Sequence, residues 1–158
     1  MPAKAIIICG KLCVGKSTYA KKLCKEQNAL LLSCDEVMLS LFKDCGDSHD
    51  ENTQRVKNYL YSKSLEVLNL GINVVLDWGF WQEKDRRYAK DFFTRHDFDC
   101  ELHYIEIDDT LWEKYISKRN KAVTDNSAKD YFVDEGLIAK MNDLFEAPDD
   151  SEIDIYYK

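Results

Sequence analysis

Short unbroken apolar runs alternate along this chain with longer segments of helical spacing. Ala5-Ile6-Ile7-Ile8-Cys9 is β-branched, stops at Gly10 and predicts a buried strand. Ala20, Leu23 and Cys24 then recur at helical spacing, and this helix is expected to end near Asn28. Ala29 to Ser33 predicts a second strand, and residues 35–42 predict a short helix. Residues 43–52 are polar, include Gly46 and are expected to form a mobile loop. A long helix is expected over 53–70, with Val56, Leu60, Ser64, Val67 and Leu68 facing inward and Gly71 as its stop. Ile72 to Leu76 predicts a third strand, 82–95 a helix, and 101–107 a fourth strand. Asp109 or Thr110 is the expected cap of a helix carrying Leu111, Tyr115 and Ile116. A polar stretch over 120–130 precedes a helix at 134–145, and 152–157 predicts a fifth strand. Strands alternating with helices imply an α/β fold: a parallel sheet covered by helices on both faces.

The length of 158 residues fits a single domain, 1–158. Aromatic residues make up 12% of the chain, which excludes a disordered chain. The formal net charge of −7 opposes general attraction to a long phosphate backbone, so no nucleic-acid partner is expected. The longest apolar run, residues 5–9, is far too short to span a bilayer. Six cysteines without a CxxC pair or a secretion signal are expected to be reduced thiols of a cytoplasmic protein.

The run after the first strand carries the most specific chemistry. Gly10-Lys11-Leu12-Cys13-Val14-Gly15-Lys16-Ser17 has the spacing G-x-x-x-x-G-K-[ST], between a predicted strand and a predicted helix. Its glycines let the backbone turn tightly and approach a ligand. Its amides and the following helix N-terminus surround phosphate oxygens with donors. Lys16 is expected to reach the β- and γ-phosphates and Ser17 to bind magnesium.

Three further places bear on what is done with the nucleotide. Asp35 follows the second strand, at the edge where ligands bind in open α/β sheets. It either takes a proton from an acceptor hydroxyl or caps the helix behind it. Asp77 ends the third strand, where a carboxylate can hold metal or acceptor, or form a turn before Gly79. Trp78, Phe80 and Trp81 either line an acceptor pocket or pack. Arg119, in Lys118-Arg119-Asn120-Lys121, either swings over the phosphates from a lid or completes a cation cluster at a helix C-terminus. Arg86 and Arg87 either contact an acceptor or are solvated.

Together these segments resemble the small P-loop kinases, a group with polynucleotide 5′-kinase, chloramphenicol phosphotransferase, gluconate kinase and zeta toxin. More closely, the chain resembles the bacterial AAA-domain ATP-binding proteins of that group. The resemblance rests on Gly10 to Thr18, Ser33-Cys34-Asp35-Glu36, residues 74–81, Ser117-Lys118-Arg119-Asn120 and Phe145-Glu146-Ala147-Pro148. It implies a five-stranded sheet in the order 2-3-1-4-5 with a short lid. It also implies Asp35 as base and Arg119 as lid arginine. Catalysis would then rest on Asp35, Lys16 and Arg119. Gly10, Lys11, Leu12, Cys13, Val14, Gly15, Lys16, Ser17, Thr18 and Arg119 would bind ATP or GTP, and Ser17 and Asp77 would bind Mg. Two positions depart from the group. Polynucleotide kinase has an arginine three residues after the base, where this chain has Met38. Lid helices of the group often carry an arginine where this chain has Tyr115.

The expected activity is transfer of the γ-phosphate to a small hydroxylated acceptor. The alternatives are a nucleotide-dependent switch with NTPase activity and a 5′-kinase of nucleic-acid ends.

Overall fold

A computed structural model describes residues 2–158. Five parallel strands form one sheet: β1 (Ala5–Cys9), β2 (Ala29–Ser33), β3 (Asn73–Asp77), β4 (Cys100–Ile105) and β5 (Ile155–Tyr157). Their order across the sheet is β2-β3-β1-β4-β5, as the resemblance implies. The helices are α1 (Lys16–Gln27), α2 (Cys34–Leu41), α3 (His49–Asn69), α4 (Glu83–Thr94), α5 (Asp109–Thr124) and α6 (Glu135–Leu144).

Every residue of β1 is buried, and alternate side chains leave opposite faces of the sheet. Ala5, Ile7 and Cys9 pack with Met38, Val56, Leu60, Ala89 and Phe93 from α2, α3 and α4. Ile6 and Ile8 pack with Ala20 and Leu23 of α1 and Trp112 of α5. An unbroken apolar strand is therefore what a doubly covered central position requires. A third cluster joins Leu12, Cys13, Val133 and Met141 with Trp81, Trp112 and Phe145 beneath the glycine-bearing loop.

Several boundaries differ from the sequence reading. The segment 43–52 holds a single 3-10 turn (Gly46–Ser48), and α3 already begins at His49. Its first turn is polar because it borders an open cleft, so hydrophobic spacing could not reveal it. α5 likewise runs to Thr124, through the start of the polar stretch. Its cap is Asp108, which accepts from Leu111 N at 2.8 Å, and not Asp109 or Thr110. β5 is only three residues long and exposed. Val67 is half-buried, while Tyr61 joins the inward face of α3.

Candidate active site

The carboxyl ends of β1, β2 and β3 lie side by side and bring the three predicted segments together. β2 pairs with β3 so that Ser33 stands opposite Asp77. Asp35 follows two residues after Ser33, and the glycine-bearing loop follows β1 between β3 and β4. These segments line a cleft of about 770 Å³ that contains Lys16, Ser17, Asp35, Asp77, Arg119 and Asp130.

The loop itself is held from several sides. A Cβ on Gly10 would lie 2.7 Å from the Ile105 carbonyl oxygen, so only glycine allows this close approach to β4. Gly10 N donates to Gly79 O at 3.2 Å, which ties the loop to the turn after β3. Gly15 takes φ +95°, and Cys13 takes φ +56°. Trp81 Nε1 donates to Gly10 O at 3.2 Å and Trp112 Nε1 to Leu12 O at 2.7 Å. The two indoles thus fix loop carbonyls from below, and the amides are not needed for that task. Lys16 Nζ donates to the Lys11 carbonyl. Burial pushes the Lys16 ammonium below the usual lysine range, and the nearby Asp77 and Asp35 carboxylates oppose that shift.

Asp77 is 5% exposed and accepts a hydrogen bond from Ser17 Oγ at 2.9 Å. Its side chain faces the loop and is not spent on a turn. A hydroxyl beside a carboxylate is a hard oxygen pair, which fits magnesium, an ion that takes few protein ligands and completes its shell with water and phosphate. Among the described residues no cluster of three or more His, Cys, Asp or Glu forms a metal cage.

Asp35 is not the cap of α2. That role belongs to Ser33, whose Oγ accepts from Glu36 N at 3.3 Å. The Asp35 carboxylate has no hydrogen-bond donor among the described residues and borders the cleft. Its surface opens to solvent through the cleft mouth, yet the surrounding atoms crowd it. That desolvation and the Asp77 charge push Asp35 above the usual carboxylate range, against the pull of Lys16.

Arg119 lies in the last turns of α5, with Nε 3.1 Å from Asp130 Oδ2. The segment after α5 is pinned by Asn120, whose Nδ2 donates to Val133 O at 2.8 Å and whose Oδ1 accepts from Val133 N at 2.7 Å. Tyr115, one turn before Arg119, stands beside Gly15.

The three aromatics after Asp77 divide their roles. Phe80 is 2% exposed and belongs to the core, Trp81 supports the loop, and Trp78 stays half-buried at the cleft, stacked on Phe80. Arg86 is buried and makes a two-pronged ion pair with Glu152 at 2.9 and 3.1 Å, so it is neither solvated nor free for an acceptor. Arg87 pairs with Glu83 on the surface. Sequence reasoning missed His49, Thr53 and Lys57, which line the cleft from one face of α3. Their spacing of four is the signal that could have marked them, as polar positions recurring on one side of an amphipathic helix.

A family of AAA domains matches residues 6–148. The chain belongs to this AAA-domain family. Its fold recurs in a protein described as a "putative kinase" from Chloroflexus aurantiacus J-10-fl, with TM-score 0.74, 15% identity, and 99% and 87% of the two chains covered. It also recurs in a sugar kinase from Janibacter sp. HTCC2649, with TM-score 0.66, 14% identity, and 98% and 84% covered. A chain of the Pnkp1/Rnl/Hen1 RNA repair complex matches with TM-score 0.70 and 20% identity, over 88% of this chain and 42% of that one. No curated protein sequence matches the chain.

Proposed function

We propose that residues 1–158 act as one kinase domain that moves the γ-phosphate of ATP or GTP to a hydroxyl of a small molecule. The observation that carries this reading is the Ser17 Oγ to Asp77 Oδ2 contact of 2.9 Å at the phosphate loop, with Asp35 in the same cleft. Lys16, Ser17, Thr18 and the loop amides bind the triphosphate. Ser17 and Asp77 hold magnesium, which supplies charge neutralisation at the β- and γ-phosphates when bound. Asp35 orients the acceptor hydroxyl and takes its proton, and its raised proton affinity suits a general base. Arg119 neutralises charge developing on the transferred group.

A free carboxylate on the acceptor side favours a kinase over a nucleotide switch, which needs no base for a hydroxyl. A 5′-kinase of nucleic-acid ends is the second reading, and the shared fold with the RNA repair chain favours it. Against it, Met38 is 1% exposed and packs in the core, so the position that carries a clamp arginine in polynucleotide kinase faces away from any substrate.

Incubation with labelled ATP, magnesium and pools of sugars, nucleosides, antibiotics and oligonucleotides tests the proposal. One small-molecule pool should take up label. Asp35→Asn should reduce that transfer about 10²–10⁴-fold while ATP affinity stays nearly constant. Transfer near the wild-type rate in Asp35→Asn would leave Asp35 without a catalytic role.

A further inference from the structure

Arg119 has a partner in the cleft, and that partner is anionic. Its Nε lies 3.1 Å from Asp130 Oδ2, with the two side chains 28% and 31% exposed. The carboxylate is itself oriented, because Asp130 Oδ1 accepts from Tyr131 N at 2.8 Å. The segment that bears it hangs between two fixed points. On one side, Ser127 N and Ala128 N both donate to Ala122 O, at 2.9 and 3.2 Å. On the other, Asn120 holds both backbone groups of Val133, whose side chain is buried under the phosphate loop. Residues 129–132 therefore form a short span with anchored ends, and Asp130 sits on that span facing Arg119.

A guanidinium recognises carboxylate and phosphate through the same planar fork of donors. Arg119, Asp130 and Lys16 line one cleft, so a phosphate bound there meets an arginine already occupied by a carboxylate. We propose that Asp130 is a latch: it holds Arg119 until triphosphate binds and displaces it. This inference rests on the reading of the cleft as a nucleotide site and adds Asp130 as a positioning residue that acts through Arg119. Asp130 keeps the guanidinium at the cleft and off the solvent, and the triphosphate must compete for it. When the phosphate charge leaves the site, Asp130 recaptures Arg119 and aids departure of the spent nucleotide. The span also carries Tyr131, whose ring meets His49 of α3 edge-on at 5.9 Å.

The test is a double-mutant cycle read by calorimetry, with magnesium and a non-hydrolysable imido analogue of ATP. Asp130→Asn removes the competing charge and keeps the shape. It should bind the analogue about two- to fivefold more tightly than wild type, the scale of a partly exposed ion pair. Asp130→Ala should give a gain in the same direction. In an Arg119→Met background the gain should vanish, which a merely structural role for Asp130 would not produce. An equal gain in that background, no gain, or weaker binding by both Asp130 variants would overturn the latch. Wild type that fails to bind the analogue would remove the nucleotide site and the latch with it. Wild type that binds without any gain in Asp130→Asn would remove the latch alone.

Discussion

Arg86 donates to five oxygens on three segments: both carboxylate oxygens of Glu152, the carbonyls of Phe80 and Trp81, and the carbonyl of Glu146. The carbonyls of Phe80 and Trp81 belong to the turn whose Gly79 supports Gly10, so the guanidinium steadies the glycine-bearing loop through that turn. Removing it leaves Glu152 Oε1 and the Glu146 carbonyl without that donor, while Glu152 Oε2 keeps Asp149 N and Trp81 O keeps Glu146 N. Arg86→Met should therefore cost about 3–5 kcal/mol in denaturant unfolding, the scale for breaking one side of a buried pair. The pH dependence has a defined sign. The Arg86 hydrogen bonds hold the Glu152 carboxyl below its usual range, so its contribution is present above the unfolded value of about 4.3 and is lost as pH falls through the lower folded value. Unfolding midpoints should drop below about pH 4.3 in wild type and drop less in Glu152→Gln. Lys16→Ala gives the contrasting outcome at the same scale. Calorimetry should find triphosphate binding lost while circular dichroism stays native, because this lysine contributes charge at the cleft and not packing. None of Arg86's role was legible in the sequence, since Glu146 and Glu152 lie 60 and 66 residues away. Lys16, in contrast, could be placed at the cleft from the sequence, because its loop is a local motif between a strand and a helix.

At the scale of elements, the strands were easiest to read and the helix ends hardest. β1 and β3 announced themselves because a central parallel strand must be apolar throughout, and β2, at the sheet edge, did so as a short apolar run. The first turn of α3 did not, because it borders the cleft with polar side chains, and the last turn of α5 did not, because none of its residues is buried. The caps behave similarly: Ser33 and Asp108 start α2 and α5, one or two positions before the residues that the spacing favoured. Ser33 as cap is what leaves the Asp35 carboxylate unclaimed, so a one-turn detail decides whether a candidate base exists at all. One end of the span between α5 and α6 is held by Asn120, whose amide satisfies Val133 in both directions. Asn120→Ala should lower stability by about 1–2 kcal/mol, the net worth of two neutral hydrogen bonds. It should also speed hydrogen exchange at residues 131–133 while leaving exchange in β1 unchanged. Equal protection of 131–133 in the variant would show that packing alone holds the span.

For the whole molecule, the decisive question is the acceptor, and charge distribution bears on it. Net charge is −7, but an average can conceal a basic groove. The place to look is α4, where Arg86, Arg87 and Lys90 follow the Asp77 turn. Arg86 is enclosed, Arg87 pairs with Glu83, and Lys90 Nζ donates to the Glu152 carbonyl at 2.8 Å and lies 3.4 Å from Asp154. Arg86 and Lys90 are committed within the fold, which leaves Lys84 and the surface-paired Arg87 as the exposed cations of α4. Across the cleft, Lys140 faces Asp50 at 3.5 Å and Arg119 faces Asp130. The lining that remains for an acceptor includes Asp35, Asp85, Lys57 and the half-buried ring of Trp78, a small and mixed surface. A polyanion would meet the Asp35 and Asp85 carboxylates there, with Lys57 as an offsetting cation. We therefore expect 5′-hydroxyl DNA and RNA oligonucleotides, supplied with labelled ATP and magnesium at low salt, to remain unlabelled. Low salt is the demanding condition, because it favours electrostatic binding most strongly. Efficient labelling of 5′ ends that disappears in Asp35→Asn would overturn this expectation and make the chain a polynucleotide kinase. Label that appears in a small-molecule pool, and disappears in Asp35→Asn, is the result that the cleft's charges and its dimensions favour.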